Sequence, residues 1–312
     1  MIARRSFLAA LALASCSRKD GTAQGAPPPA PTKLPDMPAP DAGAQARGRV
    51  GTQTWTFEST GFRAVAIVPT WTKPDEKLPV LLALHGRGEA NKGPVEGVMG
   101  WPRDYALLRA IERVCNPPIT SADLEGFVDP KRLAGMNDAL AKKPFQGMVV
   151  VCPYSPDVEL RKPKAVKDYG DFLLKAVLPR VKKELPVLGT PASIGIDGVS
   201  LGGALALRTG LGNADAFGTV GSLQAAIGED QVQEFVDLVK SARQKNAGVK
   251  IRLLTSSEDY FKSAITHVSQ GLKAAGVDHD FADVPGPHDY PFNRGPGAIE
   301  MLLWHDRLLS RT

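Results

Sequence analysis

Little in this chain is aromatic, thiol-bearing or strongly charged. Phe, Trp and Tyr make up 6% of 312 residues, and there are only three cysteines and five histidines. Three cysteines are too few for a disulfide-built scaffold. Basic and acidic residues nearly balance, 38 against 33, for a net charge of +5 that falls to +3 without Arg4 and Arg5. No basic stripe interleaved with aromatics appears, which argues against a nucleic-acid partner. The apolar run Phe7 to Ala14 is far shorter than the ~20 residues a membrane-spanning helix needs. There are no internal repeats, which excludes a solenoid. No cofactor and no metal is expected from the residues present.

What the chain does have is a strand-to-helix junction around a serine. The run Ile194-Gly195-Ile196-Asp197 leads into Gly198-Val199-Ser200-Leu201-Gly202-Gly203, and an Ala/Leu helical pattern begins at once. This is the sequence form of a nucleophile elbow, a strained turn that lifts a serine hydroxyl above a sheet. Gly198 and Gly202 remove the side chains that would collide across such a turn. The new helix aims its free N–H groups at negative charge forming beside Ser200. The bland reading of Gly-x-Ser-x-Gly is a structural turn, and the flanking strand and helix speak against it.

Residues 1–16 read as a secretion signal: Arg4 and Arg5, an apolar core, then Leu13-Ala14-Ser15-Cys16. Those last four residues resemble a bacterial lipobox. The resemblance implies a lipid anchor on Cys16, and localisation in the cell envelope on the outer-membrane or periplasmic side; cleavage near Ala14 with Cys16 incidental is the alternative. Residues 17–49 are rich in Pro, Ala and Gly and include Pro27-Pro28-Pro29. Such a segment cannot offset its ordering entropy and reads as a tether. The remaining residues, 50–312, suffice for one α/β domain.

Within that domain, strand-like runs fall near 52–58, 62–68, 79–84, 148–152, 194–198, 217–222, 249–254 and 279–284. Helical spacing falls at 169–185, after Ser200, and at 230–245, 260–275 and 297–310. The first two strands form an antiparallel opening pair. Strands alternating with helices then predict an open, mostly parallel sheet with helices on both faces. Cys115 and Cys152 are either one disulfide or two separate buried thiols; both readings stand.

An acyl-transfer serine needs a base, a carboxylate to orient the base, and donors for an oxyanion. Of His85, His267, His279, His288 and His305, only His288 lies in a Gly/Pro loop past the last strand, on the same sheet edge as Ser200. His305, beside Trp304, reads as a packed or half-exposed helix residue. The acid belongs in the loop after 249–254, which reads Ser256-Ser257-Glu258-Asp259-Tyr260; Asp259 is the choice and Glu258 is chemically competent beside it. The oxyanion donors would be the backbone N–H groups of Leu201 and of Arg87, in His85-Gly86-Arg87-Gly88-Glu89. His85 then holds its loop and is not a base.

These residues carry a resemblance. Leu84-His85-Gly86-Arg87-Gly88, the Ser200 elbow, Glu258-Asp259-Tyr260 and Pro285-Gly286-Pro287-His288-Asp289 resemble the α/β-hydrolase superfamily, nearest to its group of esterase D-like enzymes and polyester-depolymerase-like lipoproteins. The resemblance covers about 50 to 310. It implies an α/β-hydrolase fold and a serine esterase with Ser200, Asp259 and His288 as nucleophile, acid and base, acting on a small-molecule or polymeric ester. Residues 90–147, which include a second helical pattern at 121–142, exceed the single helix a minimal member needs and read as a cap or rim insertion. Two other functions use the same features: a peptidase or acyltransferase on the same triad, and a non-catalytic binding lipoprotein. The acyl and alcohol groups and the oligomeric state are not legible in the sequence.

Overall fold

The computed structural model describes residues 47–73 and 75–312. The signal, Cys16 and nearly all of the 17–49 segment lie outside the described residues. At the start of the described chain, the Arg47 guanidinium donates to Phe145 O at 2.9 Å, and Thr70 N–H donates to Arg49 O at 3.1 Å. The packed domain therefore takes in residues just before position 50.

Eight strands form one sheet: β1 (Val50–Phe57), β2 (Phe62–Pro69), β3 (Val80–Leu84), β4 (Val149–Pro153), β5 (Ile194–Gly198), β6 (Thr219–Leu223), β7 (Lys250–Glu258) and β8 (Asp280–Pro287). Their order is β1-β2-β4-β3-β5-β6-β7-β8. β2 runs antiparallel to both of its neighbours, and every other pairing is parallel. The unbroken apolar runs of β3 and β4 are buried along their whole length. Burial on both faces is what lets a strand dispense with alternation.

Eleven α-helical segments are described: α1 (Arg87–Ala90), α2 (Gly93–Glu96), α3 (Leu107–Cys115), α4 (Pro130–Lys142), α5 (Pro163–Phe172), α6 (Leu178–Glu184), α7 (Leu201–Gly212), α8 (Val232–Lys245), α9 (Lys262–Ala274), α10 (Tyr290–Phe292) and α11 (Ala298–Leu308). The period of two along a strand divides the core between the faces. Val80, Leu82 and Leu84 of β3 pack with α5 to α9, whereas Leu81 and Ala83 pack with α3, α4 and α11.

Several sequence expectations are adjusted. The 169–185 helix begins at Pro163 and contains a wider turn at Leu173–Val177 before α6. The 121–142 pattern is broken: a short turn spans Ser121–Leu124, and α4 starts only at Pro130, where Asp129 caps the Arg132 N–H at 2.9 Å. Proline at the first helical position is tolerated because its missing N–H has no partner there anyway. Residues 90–147 are mostly a layer of the fold and not a cap. Leu107, Ala110, Ile111 and Val114 of α3 are buried in the second core with α11 and the sheet. The stretch around Phe127 borders the loop of His288, where it lies against Gly286.

His305 is fully buried, not half-exposed. Its Nε2 bonds the Asp197 carboxylate at 2.9 Å, Arg252 donates to the same oxygen at 2.8 Å, and Thr219 Oγ1 meets His305 Nδ1 at 2.8 Å. Burial is the largest influence on His305 and lowers its pKa. Asp197 precedes the elbow, so this paired cluster supports β5, the strand that leads into Ser200. Cys115 and Cys152 are separate thiols. Burial pushes the Cys115 thiol up to about 12.

Candidate active site

Ser200 has φ 56° and ψ −117°, a conformation L-residues seldom adopt. Three backbone hydrogen bonds hold it there. The Ser200 N–H donates to Leu223 O of β6 at 3.0 Å, Val199 N–H donates to Leu84 O of β3 at 3.1 Å, and Ser200 O accepts from Ala226 N at 2.9 Å. The flanking glycines are required by crowding. A Cβ on Gly202 would lie 2.4 Å from Leu84 O, and one on Gly198 would lie 2.5 Å from the Gly202 carbonyl. α7 then begins at Leu201.

His288 and Asp259 meet. His288 Nδ1 lies 2.7 Å from Asp259 Oδ1. Asp259 is tied down further: Oδ1 accepts the Phe261 N–H at 3.0 Å, and Oδ2 accepts the Thr255 hydroxyl at 2.7 Å. Its side chain is fully buried, whereas Glu258 ends β7 exposed. The carboxylate sets Nδ1 as the protonated nitrogen and leaves Nε2 able to accept. The loop before His288 turns at Gly286, φ +133°, where a Cβ would lie 2.8 Å from the Phe292 ring. Among the described residues no hydrogen bond joins the Ser200 hydroxyl to the His288 ring; such contacts often tighten only when substrate binds.

The loop after β3 reaches the same place. A Cβ built on Gly86 would lie 3.7 Å from Ser200 Cβ. Its conformation is fixed by His85, whose Nδ1 bonds Gly86 O and whose Nε2 accepts the Ser155 N–H, both at 3.0 Å. Burial lowers the pKa of His85, and both ring nitrogens are occupied, so it is a structural histidine. The N–H groups of Arg87 and Leu201 begin α1 and α7, where helical N–H groups have no partner within their own helix. The other two histidines lie elsewhere: His267 pairs with Glu229, and His279 bonds Ser269.

Sequence reasoning missed several residues of the site. Glu89, 1% exposed, accepts the hydroxyls of both Tyr105 and Tyr290. Gln224, with φ 46°, follows β6 and donates from Nε2 to Pro287 O at 2.8 Å and to Ser256 Oγ at 2.6 Å, bracing the chain just before His288. Tyr260 is 80% exposed, with its ring 5.2 Å from that of His288. Only Tyr260 had a sequence signal, its place beside Asp259.

Residues 151–291, which carry Ser200, Asp259 and His288, match the family model described as "Putative esterase". The chain has the α/β-hydrolase fold. Solved structures with this fold include a ferulic acid esterase, 19% identical over 83% of this chain and 98% of that one, with a TM-score of 0.59. S-formylglutathione hydrolase from Staphylococcus aureus is 14% identical over 83% and 98%, with a TM-score of 0.58. A fluorophosphonate-binding serine hydrolase from the same organism is 15% identical over 82% and 98%, with a TM-score of 0.59. No curated protein matches the chain. Beside this site the 90–147 layer supplies Tyr105 and the border at Phe127. Among the described residues no cluster of His, Cys, Asp or Glu could hold a metal ion.

Proposed function

We propose that this chain hydrolyses carboxylic esters through an acyl-enzyme on Ser200. The observation that carries the reading is the buried Asp259–His288 pair on the same sheet edge as a strained serine elbow. His288 Nε2 takes the Ser200 proton as Oγ attacks the ester carbonyl carbon. The oxyanion is held by the Arg87 and Leu201 N–H groups, and Asp259 stabilises the imidazolium. Collapse breaks the carbon–oxygen bond of the ester, and His288 returns the proton to the departing alcohol. Water then attacks the acyl-enzyme by the same route and frees Ser200. The exposed Tyr260 ring beside His288 offers an apolar surface to the group bound there, and a neighbour of this fold is a ferulic acid esterase.

A fluorophosphonate probe should label the wild-type protein and spare Ser200→Ala. That variant should lose orders of magnitude of turnover on p-nitrophenyl esters while melting near the wild-type temperature. A wild-type protein that neither labels nor turns over esters would favour the non-catalytic binding reading. Aminoacyl amides in the same panel test the peptidase alternative.

We further infer from Leu13-Ala14-Ser15-Cys16 that the enzyme is anchored in the cell envelope by lipid on Cys16. Native protein should partition with membranes, and Cys16→Ala should release it or block processing. Native protein recovered free of membranes, with an N-terminus other than Cys16, would refute the anchor.

A further inference from the structure

Glu89 takes no part in the hydrolytic steps, yet it is almost completely buried beside the oxyanion loop. A buried carboxylate is costly unless its oxygens are hydrogen-bonded. Here Oε2 accepts the Tyr105 hydroxyl and Oε1 accepts the Tyr290 hydroxyl at 2.5 Å, with the Lys92 ammonium 3.4 Å from Oε1. Lys92 is itself held by Asp104 at 2.9 Å. The phenols come from opposite sides. Tyr105 ends the turn Gly100–Asp104, and Tyr290 stands two residues past His288.

The chain of bonds continues into the reacting loop. The Tyr105 oxygen accepts the Gly86 N–H at 3.2 Å while its own proton goes to Glu89. That bond orients the Gly86 peptide and leaves the next N–H, that of Arg87, for an oxyanion. Close packing fixes the carboxylate. A Cβ on Gly100 would lie 2.7 Å from Glu89 Cγ, and one on Gly97 would lie 2.2 Å from Glu89 O. Gly88 allows the Tyr290 hydroxyl to approach, since a Cβ there would sit 3.2 Å from it. On the other side, Asp289 caps the turn that carries Tyr290 by accepting the Phe292 N–H at 3.0 Å.

We propose that Glu89 is a positioning residue that, through Tyr105 and Tyr290, locks the oxyanion loop and the His288 loop into one register. The proposal rests on the esterase reading above. Two loops 201 residues apart in sequence, measured from Glu89 to Tyr290, share a single carboxylate. Loosening either one misplaces a reacting group relative to the other. Misplacement by about 1 Å can cost ~10²-fold in rate without weakening substrate binding.

The test compares the wild-type protein with Glu89→Gln, Tyr105→Phe, Tyr290→Phe and the double variant Glu89→Gln/Tyr290→Phe. Each is measured for kcat and KM on p-nitrophenyl acetate, for fluorophosphonate labelling rate and for melting temperature. Glu89→Gln and Tyr290→Phe should each lower kcat by roughly 10- to 100-fold, with KM within about twofold. Labelling should slow in parallel, and the double variant should be no worse than Glu89→Gln alone, because the residues act as one unit. Wild-type kcat in Glu89→Gln and Tyr290→Phe would overturn the proposal, and so would losses that simply multiply in the double variant. A lowered melting temperature with unchanged labelling of the folded protein would reduce Glu89 to a structural role and overturn it too. If Glu89→Gln does not fold, Tyr290→Phe, which removes one hydroxyl from a half-buried ring, decides alone. Failure of the wild-type protein to label or to hydrolyse any ester defeats the esterase reading itself, an outcome distinct from active protein with indifferent variants.

Discussion

Replacing Asp259 by asparagine removes a charge while leaving the hydrogen bonds around it satisfied, so its effect on rate can be worked from the site. The Phe261 N–H and the His288 Nδ1–H both point at Oδ1, at 3.0 and 2.7 Å. The amide oxygen must therefore occupy that position, and the NH2 group faces Thr255 Oγ1, which lies 2.7 Å from Oδ2. The imidazole keeps its tautomer; what disappears is the negative charge opposite the imidazolium. The Asp259 side chain is 0% exposed and that of His288 14%, so water screens the pair weakly. At a charge separation of about 4 Å and an effective dielectric constant of ~20, the lost attraction is roughly 4 kcal/mol. That corresponds to roughly 10³-fold in kcat, less than the ~10⁴-fold found where the tautomer is also wrong. The assay is kcat on p-nitrophenyl acetate at neutral pH, with melting temperature as the control for folding. Glu258→Gln, at an exposed strand end, should stay within about twofold of wild type. Asp259→Asn retaining more than about a tenth of the activity, or a crippled Glu258→Gln, would refute the assignment.

Gly202→Ala should be inactive and destabilised by roughly 3 kcal/mol or more, because its Cβ would meet the Leu84 carbonyl at 2.4 Å and backbone must move; a denaturant midpoint equal to wild type would contradict this. Stability should also fall as pH drops below about 6.5. His85 and His305 both have folded-state pKa values lowered by burial from 6.5. Below that value the unfolded chain binds more protons than the native one, so each residue contributes a slope of up to ~1.4 kcal/mol per pH unit until its folded pKa is reached. Urea unfolding at pH 7 and pH 5 measures it, and equal stabilities would refute the buried neutral state of both rings.

What was legible in the sequence depended on local signals. The eight strands were found because each is a compact apolar or β-branched run bounded by turn residues, and the elbow because its glycines, serine and helix are contiguous. The meeting of Asp259 and His288 was legible because the topology of such a sheet dictates which loops open beside Ser200. Interactions made across distance were not legible. Glu89 meets Tyr290 across 201 residues, and Asp197 meets His305 across 108, with no periodicity linking either pair. The 90–147 segment misled for a related reason. Its amphipathic helices have the same pattern whether they cover a site or a sheet face, and only the sheet's second core shows which. The break before α4 turned on Pro130, which a helical pattern read by hydrophobicity alone passes over.

Acyl-enzyme formation on Ser200 with the help of His288 is open to direct observation. Rapid quenching of the enzyme with p-nitrophenyl acetate, followed by peptide mass spectrometry, tests it most directly. An acetyl group should accumulate on the peptide that contains Ser200 in the wild-type protein and should not form in Ser200→Ala or His288→Ala. Turnover of the ester with no acetylated peptide, or acetylation mapped to any residue other than Ser200, would contradict it.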